Sequence, residues 1–232
     1  MSLVLDIIGG LFIGGFLMII ALTATDTATT EFYNYNSDAI VQQNLSRMSD
    51  VIQYDLRKMG FGIPEQFKST ILQVAQPNHL RFLSHLNSSP SCKIDDPNVT
   101  TVDNVVDSIE YRVVQFDSVD YGDTVIVTYQ VRRDIFVSPG YHSSIGIGII
   151  GNAGAFRYLD QIGRPVAVMS QVQMVEVTLT AYDPRIVLST DWIDSRVNEV
   201  GYNEEFRKRE LRRMLRASYW RQTRLISKNL KR

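Results

Sequence analysis

Three histidines are the side chains in this sequence best suited to metal binding or acid–base chemistry: His79, His85 and His142. The first two could share one face of a strand, but no cysteine or carboxylate stands beside them at the spacing of a metal-ligand set. No pairing of a nucleophile with a base is recognisable either. We therefore predict no metal site, no catalytic residue and no cofactor, and we expect that the protein is not an enzyme.

Two further patterns imitate ligand sites. The run Gly146–Gly151 has the letters of a dinucleotide-binding fingerprint, but Pro139 precedes it and Gly154 follows it where a strand and a helix are required. We interpret this run as a flexible loop. The stretches 95–98 and 117–123 are rich in oxygen ligands and could hold Ca²⁺, although solvated acidic loops are commoner.

An acidic residue and paired glycines mark the N-terminus as a surface for assembly. Asp6 lies within an apolar segment, where a carboxylate is unfavourable unless it is paired, so we expect a partner such as the α-amino group of a neighbouring chain. The pairs Gly9-Gly10 and Gly14-Gly15 include a Gly-x-x-x-Gly spacing that lets another helix approach closely. These five residues are predicted subunit contacts.

The C-terminal tail is basic, whereas the rest of the chain is acidic. Residues 202–232 contain 11 Lys/Arg and 3 Asp/Glu, and the remainder contains 13 and 22. The economical partner for such a tail is the acidic body of another copy, with Arg212, Arg213 and Arg216 as contact residues. Nucleic acid is a weaker alternative, and no small-molecule substrate is expected.

The element that must position Asp6 and the glycines is a long N-terminal helix. The segment Leu3–Leu22 is apolar and long enough to cross the ~30 Å hydrocarbon core of a bilayer. Helical periodicity continues beyond it, so we prefer a retained anchor to a cleaved signal peptide. We assign 1–22 to the membrane or filament-core half of this helix, 23–64 to its amphipathic half, and 65–232 to a β-rich globular domain.

The amphipathic half carries an apolar stripe and has a clear end. Leu45, Met48, Ile52, Leu56 and Met59 share one helical face, and Gly60, Gly62 and Pro64 end the helix. The β-branched stretch 23–30 is a candidate flexible joint.

Alternating apolar residues then predict strands near 71–75, 80–83, 109–113, 125–131, 172–182 and 219–230, and 204–215 reads as a short basic helix. One long helix followed by strands predicts an α+β fold with an antiparallel sheet.

These features together resemble a known family. The segment Tyr54–Gly62, with Asp55-Leu56-Arg57 before Gly60-Phe61, is similar to the helix end of W-type minor pilins and J-type pseudopilins, which are type IV pilin-like proteins. The stretches 107–112, 172–182 and 220–229 resemble strands of the same family. Removal of Met1 would make Asp6 the fifth residue, where that family keeps a glutamate.

The resemblance implies a structural subunit of a type IV pilus-like filament or a secretion pseudopilus. Its expected partners are other pilin-like subunits or copies of itself, and membrane lipid before assembly. We expect a bacterial inner-membrane location with an extracytoplasmic domain, followed by a periplasmic or extracellular filament. The alternative is a single-pass anchored subunit of a membrane complex, or a receptor, with an extracytoplasmic β domain.

Overall fold

The computed structural model of the chain describes residues 2–63, 69–86, 106–120, 125–137, 141–182 and 219–226. One long helix, α1, comprises Ser2–Lys58. Contacts within the chain divide it into two compact units, Met1–Ile40 and Val41–Arg232. The described residues of the first unit are therefore helix alone, whereas the second unit contains the end of α1 and every strand that the structure describes.

The helix ends where the glycines predict. Gly60 and Gly62 both adopt a positive φ, of 71° and 70°, which a residue with a Cβ adopts only with strain. The chain then turns towards the sheet, and the Gly60 amide donates to the Leu83 carbonyl at 2.8 Å.

Eight strands follow in the described part of the chain, arranged in two antiparallel sheets. The first sheet has the order β1-β2-β3-β4-β5, so each strand pairs with its neighbour in sequence. The second sheet has the order β6-β7-β8. The strands are β1 Leu72–Gln76, β2 His79–Ser84, β3 Asp107–Asp120, β4 Val125–Val137, β5 Tyr141–Ile150, β6 Phe156–Leu159, β7 Met174–Ala181 and β8 Tyr219–Ile226. The protein is thus α+β with an antiparallel sheet, as predicted.

The core of the second unit lies between the apolar stripe of α1 and the inward faces of both sheets. All five stripe residues named above are buried, and so are the predicted inward residues Ile109, Tyr111 and Val113 of β3. The inward residues of β7 join the same cluster. Period-3.6 and period-2 patterns therefore identified the faces that meet.

Three details differ from the prediction. The glycine-rich run around Gly146 is not a loop but part of β5, since alternating isoleucines supply strand residues between the glycines. In β4, where Val125 and Val127 marked the predicted strand, the buried side chains at its start are those of Ile126 and Thr128. A bulge in β3 between Gln115 and Asp117 faces this part of β4, and bulges increase the local twist. Strand β6 was not predicted.

The stretch 23–30, the candidate flexible joint, is helical. It is part of α1, which continues through it without interruption. The predicted helix 204–215 lies outside the described residues.

Candidate membrane and assembly interface

The first unit presents apolar side chains on every side of the helix. Ile7–Thr29 is long and apolar enough to span a membrane, and none of this segment is buried within the chain. Phe12 is 74% exposed and Leu11 73% exposed, which are values typical of a helix without a packing partner. A helix that is apolar all round needs an apolar environment supplied from outside the chain.

Threonine side chains in the last turns of this segment bond to the backbone of the helix itself. The hydroxyls of Thr23, Thr25, Thr27 and Thr29 each donate to the carbonyl four residues earlier, at 2.8–2.9 Å. Such bonds satisfy a hydroxyl where water is absent. The apolar segment therefore extends through Thr29, seven positions beyond the predicted end at Leu22.

The four predicted contact glycines all lie in this helix and face open space. A Cβ built on Gly9, Gly10, Gly14 or Gly15 meets no heavy atom within 4 Å. Asp6 also belongs to α1, but the described side chains begin after it. The predicted tail contacts Arg212, Arg213 and Arg216 lie outside the described residues. Of the eight predicted contact residues, the structure therefore describes the surroundings of the four glycines alone.

The second unit fixes the end of the helix to the sheet through a buried carboxylate. Asp55 is fully buried and accepts from Arg133, with Nε at 2.6 Å from Oδ2 and Nη2 at 2.8 Å from Oδ1. The Tyr111 hydroxyl donates to Oδ2 at 2.5 Å. One side chain from each of α1, β3 and β4 thus meets at one point in the core.

The geometry of this anchor resists distortion. A two-pronged guanidinium–carboxylate contact fixes the angle as well as the distance between two elements. Burial raises the pKa of Tyr111 well above its ordinary value, and the adjacent Asp55 carboxylate raises it further. The phenol therefore remains a hydrogen-bond donor over the whole physiological pH range.

The opposite face of the five-stranded sheet carries a chain of charged groups. His79 Nε2 lies 2.6 Å from Glu110 Oε1, and Arg112 lies 3.3 Å from Glu110 and 2.8 Å from Asp134. Burial would raise the pKa of Asp134, but hydrogen bonds from Ser144 and Arg112 outweigh it and hold that pKa below its ordinary value. His142 Nε2 is 3.7 Å from Asp134.

The three histidines of the chain lie in different surroundings. The described residues contain no group of three or more His, Cys, Asp or Glu side chains placed to hold a metal ion. His85, which the sequence places on the same strand as His79, packs instead against Gly62, whose Cβ would lie 2.9 Å from the His85 Cβ. The histidines therefore serve separate structural contacts.

A second buried carboxylate ties the three-stranded sheet together. Glu176 on β7 accepts from Arg157 on β6 at 3.0 Å and from Arg224 on β8 at 2.5 Å. Burial would raise the pKa of Glu176, but the hydrogen bond and the charge of Arg224 lower it below its ordinary value. Both arginines are more than half exposed, so water screens this cluster more than the Asp55 anchor.

The roles of Asp55, Arg133 and Tyr111 were not predicted, although the sequence carries a signal for them. Asp55 lies inside the apolar stripe of α1, and Arg133 stands at an inward position between Val131 and Ile135. Charged residues on two faces that must pack together indicate an internal ion pair.

Comparison of the chain with protein-family models, with curated proteins and with solved structures found no match.

Proposed function

We propose that the protein is a structural subunit of a type IV pilus-like filament or a secretion pseudopilus, assembled through the first half of its helix. The observation that carries the proposal is the contrast within α1. Its first half has a membrane-length apolar surface without a partner in the chain, and its end is locked into a folded domain.

The exposed apolar half supports assembly through the helix. The glycines at positions 9, 10, 14 and 15 leave open space on the helix surface. In a medium without water, the hydrophobic effect does not drive helices together, and their association depends on close packing. Small residues favour association because they let two helix backbones approach closely. In the filament these helices pack together, and Asp6 pairs with a neighbour's terminal amine.

The anchored end of α1 supports a folded domain carried on the helix. Because Asp55 holds Arg133 in a two-pronged contact, the last turns of α1 keep a fixed orientation on β3 and β4 within the second unit.

The experiment is to shear surface filaments from native cells and to search for this chain in them by mass spectrometry. The expected result is recovery of the chain in the sheared fraction, together with its N-terminal peptide. Recovery from the membrane fraction alone, in fixed proportion to other proteins, would instead identify a subunit of a membrane complex.

Asp6→Ala tests the pairing within the same assay. The variant should remain in the membrane but be depleted about tenfold or more from sheared filaments, which corresponds to the loss of one paired charge in an apolar medium. Asp38→Ala is the matched control, because it removes a carboxylate from the same helix beyond the membrane-length segment. Equal recovery of both variants would exclude the pairing.

A further inference from the structure

The free edges of the two sheets differ in how they are protected against pairing with another strand. Strand β1 has only five residues and a bulge, and its Gln76 carbonyl accepts from the Tyr158 hydroxyl. Strand β6 has four residues, and the turn that follows it bonds back to its Tyr158 carbonyl. Strand β8 carries Arg221 and Arg224. Short length, bulges and charges are the usual protections of an edge.

Strand β5 lacks most of these protections. It has ten residues, Tyr141–Ile150, and contains no Lys, Arg, Asp, Glu or Pro. It pairs with β4 on one side, and in the described part of the chain no strand pairs with its other side. Ile145 is 52% exposed and Ile149 is 42% exposed. An uncharged edge of this length is a template for an added strand.

A bulge and an apolar cleft make the two ends of β5 different. The register with β4 is continuous from Tyr141 to Gly146 and shifts at Ile147. Beyond the shift, residues 147–150 line a cleft of about 490 Å³ together with Val41, Leu45 and Met48 of α1. A strand that pairs with Tyr141–Gly146 therefore ends beside a cavity large enough for one or two apolar side chains.

Two exposed arginines lie beside this edge. Arg47 is exposed and lines the cleft, and no carboxylate of the described residues lines it. Arg132 is exposed on β4 and donates to Ser144 of β5. The carboxylate of Asp134, which is paired with Ser144 across the two strands, is buried and bonded to Arg112. An acidic segment is therefore favoured over a basic one.

From these observations we infer that β5 is a docking edge for another protein. The occupant is an extended acidic segment that adds a strand beside Tyr141–Gly146 and places an apolar side chain in the cleft at Ile147–Ile150. Main-chain hydrogen bonds supply affinity, and the cleft and Arg47 supply specificity. This partner is distinct from the copies that the proposed function places around the helix.

The test measures the binding of a fluorescent peptide to the full chain in lipid nanodiscs. The peptide is acetylated and has about eight residues. Thr and Val alternate along it, a Phe lies near one end, and a Glu stands at each end. Two further peptides carry backbone N-methyl groups on one or the other alternate set of amides. In a strand only one set faces β5, so one methylated peptide should lose affinity about tenfold or more while the other binds normally. Equal binding of both methylated peptides would overturn strand addition.

Two protein variants test the location. Arg47→Glu should reverse the preference, so that a Lys-flanked version of the peptide binds better than the Glu-flanked one. Ile149→Lys should weaken binding about tenfold, whereas Ile162→Lys, at a 68% exposed position outside β5, should not. Equal effects of the two lysines, or absence of binding by the wild-type chain, would contradict the assignment. Self-association that Ile149→Lys abolishes would show that a second copy is the occupant.

Discussion

The two halves of helix α1 have similar backbone geometry and opposite relations to the rest of the chain. Apolar side chains surround the half that contains Ile7–Thr29, and none is buried within the molecule. In the half that ends at Lys58, the apolar stripe from Leu45 to Met59 is buried against the sheets. The distribution of apolar residues around the helix, and not their number, decides whether the chain can bury them itself.

Polar side chains in the two halves of α1 also differ in where they find hydrogen-bond partners. In the first half, threonine hydroxyls bond to the helix's own carbonyls, so no partner is needed. In the second half, Asp55 points out of the helix and depends on Arg133 and Tyr111 of the sheet. The first half therefore exposes its apolar side chains, and the second half buries its apolar stripe within the molecule.

The largest effect is expected when charge is added to the first half. Ile13→Lys combined with Phe16→Lys places two ammonium groups in the apolar segment, at about 2.5–3.5 kcal/mol each. The protein should leave the membrane fraction in alkaline extraction and sedimentation.

The matched control adds the same charges to the second unit. Ile162→Lys combined with Val168→Lys changes two exposed apolar residues there, and this variant should sediment with membranes like the wild type. If both double variants sediment alike, the first half is not the membrane anchor.

Loss of the buried carboxylate should be the next largest effect. Asp55→Ala removes the carboxylate that accepts two hydrogen bonds from the buried Arg133 guanidinium, which is expected to destabilise the second unit by about 3–5 kcal/mol. Urea unfolding followed by tryptophan fluorescence measures it. Asp50→Ala, at an exposed position on the same helix, should change stability by less than about 0.5 kcal/mol.

A double variant measures how strongly the contributions of Asp55 and Arg133 to stability depend on each other. Asp55→Leu with Arg133→Met removes both charges, and its loss of stability should be much smaller than the sum of the single losses. Additive losses would show that the two side chains act independently.

A methyl group added at a glycine should lower the stability of the second unit at one position and leave it unchanged at another. In Gly148→Ala the new Cβ would meet Met48 Sδ at a separation that requires the buried Met48 to move, so we expect a loss of about 1–3 kcal/mol. In Gly14→Ala it would meet nothing within 4 Å, so the stability of the second unit should not change. Equal unfolding midpoints would contradict the packing of Met48 on β5.

The smallest effect on stability is expected from Glu176, and it should depend on pH. Because its pKa is lowered in the folded protein, its contribution is complete above the ordinary value of 4.5 and is lost as the pH falls through the lower folded value. Glu176→Gln should cost about 1 kcal/mol at neutral pH, since both arginines reach water. The difference between variant and wild type should shrink below about pH 4. A difference that is constant down to pH 3 would rule out this contribution.

Much of the fold could be predicted from periodicity. The apolar stripe from Leu45 to Met59 and the alternation at Ile109, Tyr111 and Val113 identified the surfaces that form the core. The strand β5 could not be recognised in this way, because glycines at 146 and 148 read as a loop. Gly148 is required there by Met48, which comes from a helix about a hundred positions away, and such a contact leaves no local pattern.

The candidate interface was predictable only in part. The apolar segment and its glycines follow from composition, whereas the Asp55 anchor depends on three residues that the fold brings together from distant positions. Each of them occupies an inward position of its own element, so the pairing is recognisable once the elements are known to pack.

The measurement that tests the central claim most directly is photo-cross-linking from the first half of α1 within sheared filaments. A photoreactive phenylalanine replaces Phe16, which is 63% exposed, and Tyr54, which is 50% exposed, serves as the reference position in the second half. We predict that Phe16 adducts contain the apolar N-terminal helix of another subunit. Adducts with lipid alone, or absence of the chain from sheared filaments, would contradict assembly through this helix.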